Sequence, residues 1–589
     1  MTRKHRPSPP PRSAAPAAQP TTWRWRQDLP LLALVTLVAL AGFANALCNG
    51  FVGDDVGIIE HNPRLDRPWD VRTFFTTPYW GEYLPNSRLY RPLTTMSFAL
   101  DRAVFGPAPF GVHLVNVLTN AAIAALVYAL VLRYTRRRLP ALLTALLFSI
   151  HPVHTEVVAN GVGRAELGAT LAMLVALHLH LSYIRHADAP QPRRRARLKQ
   201  AARLATLATL YLVALLFKES AVVLPGLMFL AEWLLVRGGA WRAMLPRLPG
   251  YLLLVVPLAI FVAARVAVVG PQPPAPQEVL LGASTAQRLL HASATTLQYI
   301  GQLAFPLWLC ADYSDYRNLI RPTLADPLVL ASLAAWVGLA ALTGSLARRR
   351  RHLPLFALGW FFLALLPASN LLMPVGTIRA DRLLFVPSLG FTLIAGDLLA
   401  RLTRHQKVLG VSLVLIIMGF YGWRTWTRNQ DWYSQDTLWA RTVRDNPGSA
   451  MAWYGHGQSL HRQQQLELAA QAYERAGQLR ASAGFFYGDA HRGHADVLRI
   501  LGDDAGAIRQ YQLLIEREPP DFRVYVNLAQ AYKRQNDTAQ ALAAIAEAIR
   551  LQPDEPALWD IKASILRQAG MTLEAHAASQ QAAQMRDRR

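Results

Sequence analysis

Long apolar stretches recur through the first 427 residues of this chain, and short runs dense in arginine separate them. The stretches lie near 29–49, 111–132, 139–153, 166–184, 202–217, 221–236, 250–269, 326–346, 353–369, 383–400 and 408–426. In hydrocarbon every backbone N–H and C=O must find a partner within the protein, so a segment of about 20 apolar residues crosses as a helix. The runs between them are "RYTRRR" (133–138), "RRRARLK" (193–199), "ARRRRH" (347–352) and "RLTRHQK" (401–407). Lys and Arg concentrate in loops on the cytoplasmic side. That rule places the four runs on one face and predicts a cytoplasmic N-terminus.

One segment strains the pattern. Counting 285–309, "TAQRLLHASATTLQYIGQLAFPLWL", as a crossing would move "ARRRRH" to the outer face. It is therefore expected to be an interfacial or re-entrant helix, leaving about eleven spans. The first stretch, 29–50, is longer than a cleavable signal core and reads as a retained anchor.

The chain holds 61 Lys and Arg against 38 Asp and Glu, a formal charge of +23. A nucleic-acid surface would interleave such charge with aromatics on a soluble face. Here the excess is topological, and no nucleic-acid partner is expected. Cys48 and Cys310 are the two cysteines, too few for a disulfide framework.

After residue 427 the chain turns polar and Ala- and Gln-rich, and it repeats. Units begin near 450, 488, 522 and 556. In the third, Tyr525, Leu528, Ala529, Tyr532, Ala541, Ile545, Ala548 and Pro553 follow the 34-residue tetratricopeptide pattern. Trp453, Gly457, Leu460, Ala469, Tyr473 and Ala476 take the same places in the first. The expected fold is all-α: a disordered cytoplasmic N-terminus (1–28), a polytopic membrane helix bundle (29–427), a linker (428–449) and a soluble tetratricopeptide-repeat α-solenoid of about four units (450–589). Stacked helical pairs of this kind offer a concave surface for extended peptides, or a spacer.

The outer face then receives 50–110, the turns near 151–165 and 218–220, 270–325 and 370–382. Ionisable groups gather there. Asp54 and Asp55 stand at the mouth of the first span, where a carboxylate could act as general base or hold a divalent metal on a phosphate. "FSIHPVHTEVVANGVGRAE" carries His151, His154, Glu156, Arg164 and Glu166. Asp55, His151 and His154 are candidate metal ligands, although Pro152 breaks the helical register; otherwise the histidines orient substrate or brace the outer loops. Arg88, Arg91, Lys218, Arg379 and Arg382 are cations suited to a phosphate, with Glu219 beside Lys218. Pro367, Pro374, Gly376 and Pro387 interrupt the apolar pattern around Arg379 and Arg382. Irregular backbone at that depth belongs where it is buried in protein or lines a cavity.

The ordered set "FVGDD…NP…YRPLTTMSF", "FSIHPVHTEVVANGVGRAE", "FKESAVVLPG", "YIGQLAFPLWLCADYS" and "LLPASNLLMPVGTIRADRLLFVPSLGF", followed by repeats, resembles the transmembrane and tetratricopeptide-repeat-containing O-mannosyltransferases. The resemblance runs from about 50 to 395 and continues into the repeats. It implies a GT-C architecture and a polyprenyl-phosphate-linked sugar donor used on the extracytoplasmic side. It further implies an acid of the first outer loop, Asp54 or Asp55, as base or acceptor-positioning group. Arg382 would meet the donor phosphate, with Arg379, Arg91 and Lys218 as supports, and His151, His154, Glu156, Arg164, Glu166 and Glu219 as positioning residues. The acceptor would be Ser or Thr of a secreted or membrane protein presented by the repeats, with inversion at the anomeric carbon. The array departs from animal members in its small number of units, and the Ala/Arg-rich composition and compact loops suggest a bacterial inner membrane with periplasmic repeats (the endoplasmic reticulum if eukaryotic). Two alternatives stand beside this reading: a lipid or glycan acceptor, and a non-enzymatic scaffold working through its repeats.

Overall fold

The computed structural model describes residues 25–84, 87–187, 193–272, 283–315, 323–371, 376–519 and 521–587. The expected N-terminal disorder, Pro374 and parts of the outer segments 270–325 and 370–382 lie outside them. Every regular element among the described residues is a helix.

Each of the eleven apolar stretches lies on helix. Seven helices among the described residues are long and apolar enough to cross a membrane by length and composition. Arg138–Ser149 and Pro152–Val158, bent by 46°, would together make an eighth, and His352–Ala368 is apolar but shorter. The remaining two, Trp25–Gly42 and Ser388–His405, carry charges that lower their hydropathy. The acids among those charges are paired. Asp28 is 1% exposed and accepts from Arg138 Nε at 2.7 Å, and Asp397 meets Arg401 at 2.6 Å and Arg137 at 3.6 Å. Two glycines let Ser388–His405 sit between its neighbours. A Cβ on Gly390 would lie 2.3 Å from the Ala357 carbonyl oxygen, and one on Gly396 would lie 2.4 Å from Thr144 Oγ1.

The ambiguous segment forms the helix Thr285–Ala304, opened by a Ser284–Gln287 capping box. It buries Ala292, Thr296, Tyr299 and Leu303 and exposes Leu289 and Ile300. This helix is too polar to count among the apolar spans. The last membrane helix, Lys407–Asp431, runs on past the expected span end at 427.

The repeats form four antiparallel helix pairs, beginning at Ala450, Gly488, Phe522 and Pro556. Small residues at the crossings, among them Ala469, Ala529, Ala541 and Ala548, are fully buried and allow close approach. Each turn within a pair carries one residue in left-handed conformation: Gln464, Gly502, Asn536 and Gly570. Asp503 and Asp537 then cap the second helices of the middle pairs, accepting from Gly506 and Gln540 N–H groups.

Candidate active site

Gly53 turns the chain with φ +56°, and the two acids that follow go to different environments. Asp55 is fully buried. Its Oδ2 accepts from the N–H groups of Gly161 at 3.0 Å and Val52 at 3.4 Å, and its Oδ1 from Val162 N–H at 2.7 Å. A Cβ at Gly161 would stand 2.9 Å from Asp55 Oδ1, so the close approach needs glycine there. Burial drives the Asp55 carboxyl up to about 7, against these three donors, which hold it down. Asp55 is thus a clamp between the loop that follows the first apolar helix and the turn at 160–162.

Asp54 is exposed, yet protein encloses it at slightly greater distance. Burial raises its carboxyl above the ordinary 3.8; Arg382 and Arg91 pull it down, and Glu156 pushes it up. An accessible carboxylate walled by protein and by two cations lines a recess.

Both of those cations, Arg382 and Arg91, are held by carboxylates. Glu156, 1% exposed, accepts from the backbone N–H of Arg382 at 2.9 Å and pairs with its Nη1. The Arg382 side chain itself remains 39% exposed, although its Nη2 also donates to Thr377 Oγ1 at 3.3 Å. Arg91 forms a bidentate pair with Glu219, Nε–Oε2 at 2.9 Å and Nη2–Oε1 at 2.5 Å, and lies over the Tyr79 ring at 5.2 Å. Lys218 pairs with buried Glu166. Arg379 donates to Gln298 Oε1 at 2.5 Å and stacks on Tyr313 at 3.9 Å.

Three expected residues sit away from the recess. Arg164 is buried, bonded to Asp101 at 2.7 Å, Asn116 at 2.6 Å and the Val112 carbonyl at 3.0 Å, so it ties the helices Pro92–Phe105 and Pro109–Thr135 to the start of its own. His151 and His154 are fully buried among Phe148, Phe385, Phe391 and Tyr421. His151 Nε2 donates to the Leu303 carbonyl at 3.1 Å, and His154 Nε2 bonds Ser388 Oγ at 2.8 Å. The candidate metal set Asp55, His151 and His154 is therefore corrected. Asp55, His151 and His154 Nε2 bond separate partners, and no group of three or more His, Cys, Asp or Glu able to hold a metal occurs among the described residues.

A second network escaped the sequence reading. Asp381, fully buried next to Arg382, accepts from the Tyr313 hydroxyl at 2.5 Å and from Gln302 at 3.3 Å and faces Arg428 at 3.8 Å. Arg428, 1% exposed, is paired with Asp431 at 2.9 Å. Tyr313 belongs to a loop whose Asp312 bonds Ser449, the cap of the first repeat helix, while Asn446 donates to the carbonyls of Asp312 and Ser314. The repeats are thus joined to the backbone that carries Arg382. The legible signal was the spacing Arg424–Arg428 on a helix continuing beyond the apolar run.

Comparison with known proteins adds to this geometry. Two models of the tetratricopeptide repeat match residues 437–484 and 498–565. The chain is 26% identical to "Protein O-mannosyl-transferase TMTC3" of Mus musculus over 589 aligned residues, covering 92% of this chain and 62% of that one. It is 30% identical to "Protein O-mannosyl-transferase TMTC4" of Homo sapiens over 481, covering 72% and 63%. The chain spans less than two thirds of the length of these relatives. Among solved structures, ArnT from Cupriavidus metallidurans bound to undecaprenyl phosphate aligns with a TM-score of 0.36 at 14% identity, over 85% of this chain and 82% of that one.

Proposed function

We propose, for a chain homologous to the tetratricopeptide-repeat-containing protein O-mannosyl-transferases, that it is an integral-membrane glycosyltransferase transferring a sugar, mannose by analogy with those relatives, from a polyprenyl-phosphate donor to Ser or Thr hydroxyls of proteins. The observation that carries the reading is the recess itself. One accessible carboxylate, Asp54, shares it with two anchored guanidiniums, Arg382 and Arg91. Asp54 takes the proton of the acceptor hydroxyl as its oxygen attacks the anomeric carbon. The bond from that carbon to the phosphate oxygen breaks, and its electron pair leaves with the lipid phosphate. Arg382, with Arg91, stabilises the charge that develops there. Attack opposite the leaving phosphate inverts the anomeric centre. Asp55 and Arg164 hold the outer loops that position these groups. The repeats present the acceptor polypeptide, and their first helix is tied to the Arg382 loop through Ser449 and Asp312.

The test is sugar transfer in purified membranes from a panel of radiolabelled polyprenyl-phosphate sugars. One donor is expected to label protein. A chain truncated after residue 445 is expected to keep donor hydrolysis and lose protein labelling. Label appearing in lipid or glycan would support the alternative acceptor class. No transfer from any donor to any acceptor, with correctly inserted protein, would leave the scaffold.

The pH profile gives an independent check. A general base must be ionised, so kcat/KM is expected to fall as pH drops through the pKa of Asp54. Because burial raises that pKa, the acid limb should be centred above 3.8. An acid limb at or below 3.8 would argue against Asp54 as the base.

A further inference from the structure

Glu156 is not alone in placing Arg382. The backbone just before it is fastened to several elements. The Ala380 N–H donates to the Tyr299 hydroxyl at 3.2 Å. One oxygen of the buried Asp381 carboxylate accepts from Gln302 Nε2 and from the Tyr313 hydroxyl, and the other lies 3.8 Å from Arg428 Nη2. Tyr299 and Gln302 stand on the helix Thr285–Ala304, and Arg428 stands on Lys407–Asp431. Tyr313 belongs to neither helix.

The Tyr313 hydroxyl is fixed by three partners. It donates its proton to Asp381 Oδ1 at 2.5 Å, and it accepts from Gln302 Nε2 at 2.6 Å and from the Cys310 N–H at 2.9 Å. The chain on either side of Tyr313 is bonded to the start of the repeats. Asn446 Nδ2 donates to the Asp312 carbonyl at 3.0 Å and to the Ser314 carbonyl at 2.9 Å. The Asp312 carboxylate bonds the Ser449 hydroxyl, which also accepts from the Ala452 N–H at 2.9 Å and so caps the first repeat helix. A shift of that helix therefore carries Tyr313 with it, and Tyr313 bears on the residue next to Arg382. Small shifts matter there, because a misplacement of about 1 Å in a group that meets developing charge can cost about 10²-fold in rate.

We infer that Tyr313 is a positioning residue for the transfer step: through Asp381 it sets the Arg382 guanidinium toward the leaving phosphate, and through Asp312 it makes that setting depend on how the first repeat is seated. The inference rests on the reading that Arg382 meets the donor phosphate.

The test measures transfer by the full chain in purified membranes, using the member of the panel of radiolabelled polyprenyl-phosphate sugars that labels protein, beside melting curves. Tyr313→Phe removes the hydroxyl and keeps the ring against Arg379. It is expected to lower kcat about tenfold while KM for the donor changes by less than about threefold. In an Arg382→Gln background the same change should cost less than about twofold, because a residue acting through Arg382 then has nothing to set. Asn446→Ala, at the repeat end of the link, should lower kcat several-fold and add little to Tyr313→Phe. If Tyr313→Phe does not fold, Asn446→Ala in the two backgrounds makes the same comparison. An unchanged kcat, or an equal loss with and without Arg382, would overturn the inference and leave the transfer reading standing. No transfer by the unaltered chain from any donor would overturn that reading, and the inference with it.

Discussion

Asp54→Asn is expected to lower sugar transfer by about two to four orders of magnitude, the usual worth of a general base, with no loss of thermal stability. Asp55→Asn should do the reverse. Asn matches Asp in shape but replaces an acceptor by an N–H donor. At a site where three backbone N–H groups converge, at 2.7, 3.0 and 3.4 Å, that leaves at least one buried donor unpaired. Such a group costs about 1–3 kcal/mol. Asp55→Asn is therefore expected to unfold at lower temperature while its folded fraction transfers sugar at a rate within a few-fold of the unaltered enzyme. Initial rates per folded molecule, beside melting curves of both variants, separate the two acids. An inactive Asp55→Asn with unchanged stability, next to an active Asp54→Asn, would exchange their roles.

This division could not be read from the motif. In "FVGDD" the acids are neighbours, and neighbours point in different directions, but the direction of each depends on Gly161 and Val162, more than a hundred positions away. Glu156 and Arg382 are 226 residues apart, and nothing local in either segment names the other. What was legible is what short-range physics dictates. Apolar run length identified the helical stretches, because a bilayer imposes a minimum length on anything that crosses it. Tetratricopeptide spacing identified the helix pairs, because each pair needs small residues where its helices touch. Hydropathy failed as a count where an acid is buried against an arginine, as with Asp28 against Arg138 and Asp397 against Arg401. The histidines misled for a related reason. Three-residue spacing suggests convergence, whereas each ring found its own partner in an aromatic core.

Arg382 and Arg379 lie three residues apart, the first expected to meet the donor phosphate and the second to support it, so substituting each in turn is the sharper test of how the leaving phosphate is met. Glu156 fixes both the backbone and Nη1 of Arg382, and Nη2 reaches Thr377 Oγ1 at 3.3 Å, while the side chain stays 39% exposed. The guanidinium of Arg379 is spent on Gln298 and the Tyr313 face. Arg382→Gln is expected to lower kcat by about 10²–10³, in line with removing one preorganised donor from a developing anion. Arg382→Lys should recover little of this, since a point charge keeps the sign but loses the two-pronged geometry. Arg379→Gln should stay within about tenfold. Glu156→Gln should give a partial loss, and the double change Glu156→Gln/Arg382→Gln should be no worse than Arg382→Gln alone, because residues acting through one contact are not additive. The effect should fall on kcat more than on KM for the donor, since the charge that Arg382 meets is largest as the bond to phosphate breaks. If Arg379→Gln were the damaging change and Arg382→Gln mild, the donor phosphate would lie on the Tyr313 side of the recess, and the attack line from Asp54 would have to be redrawn toward it.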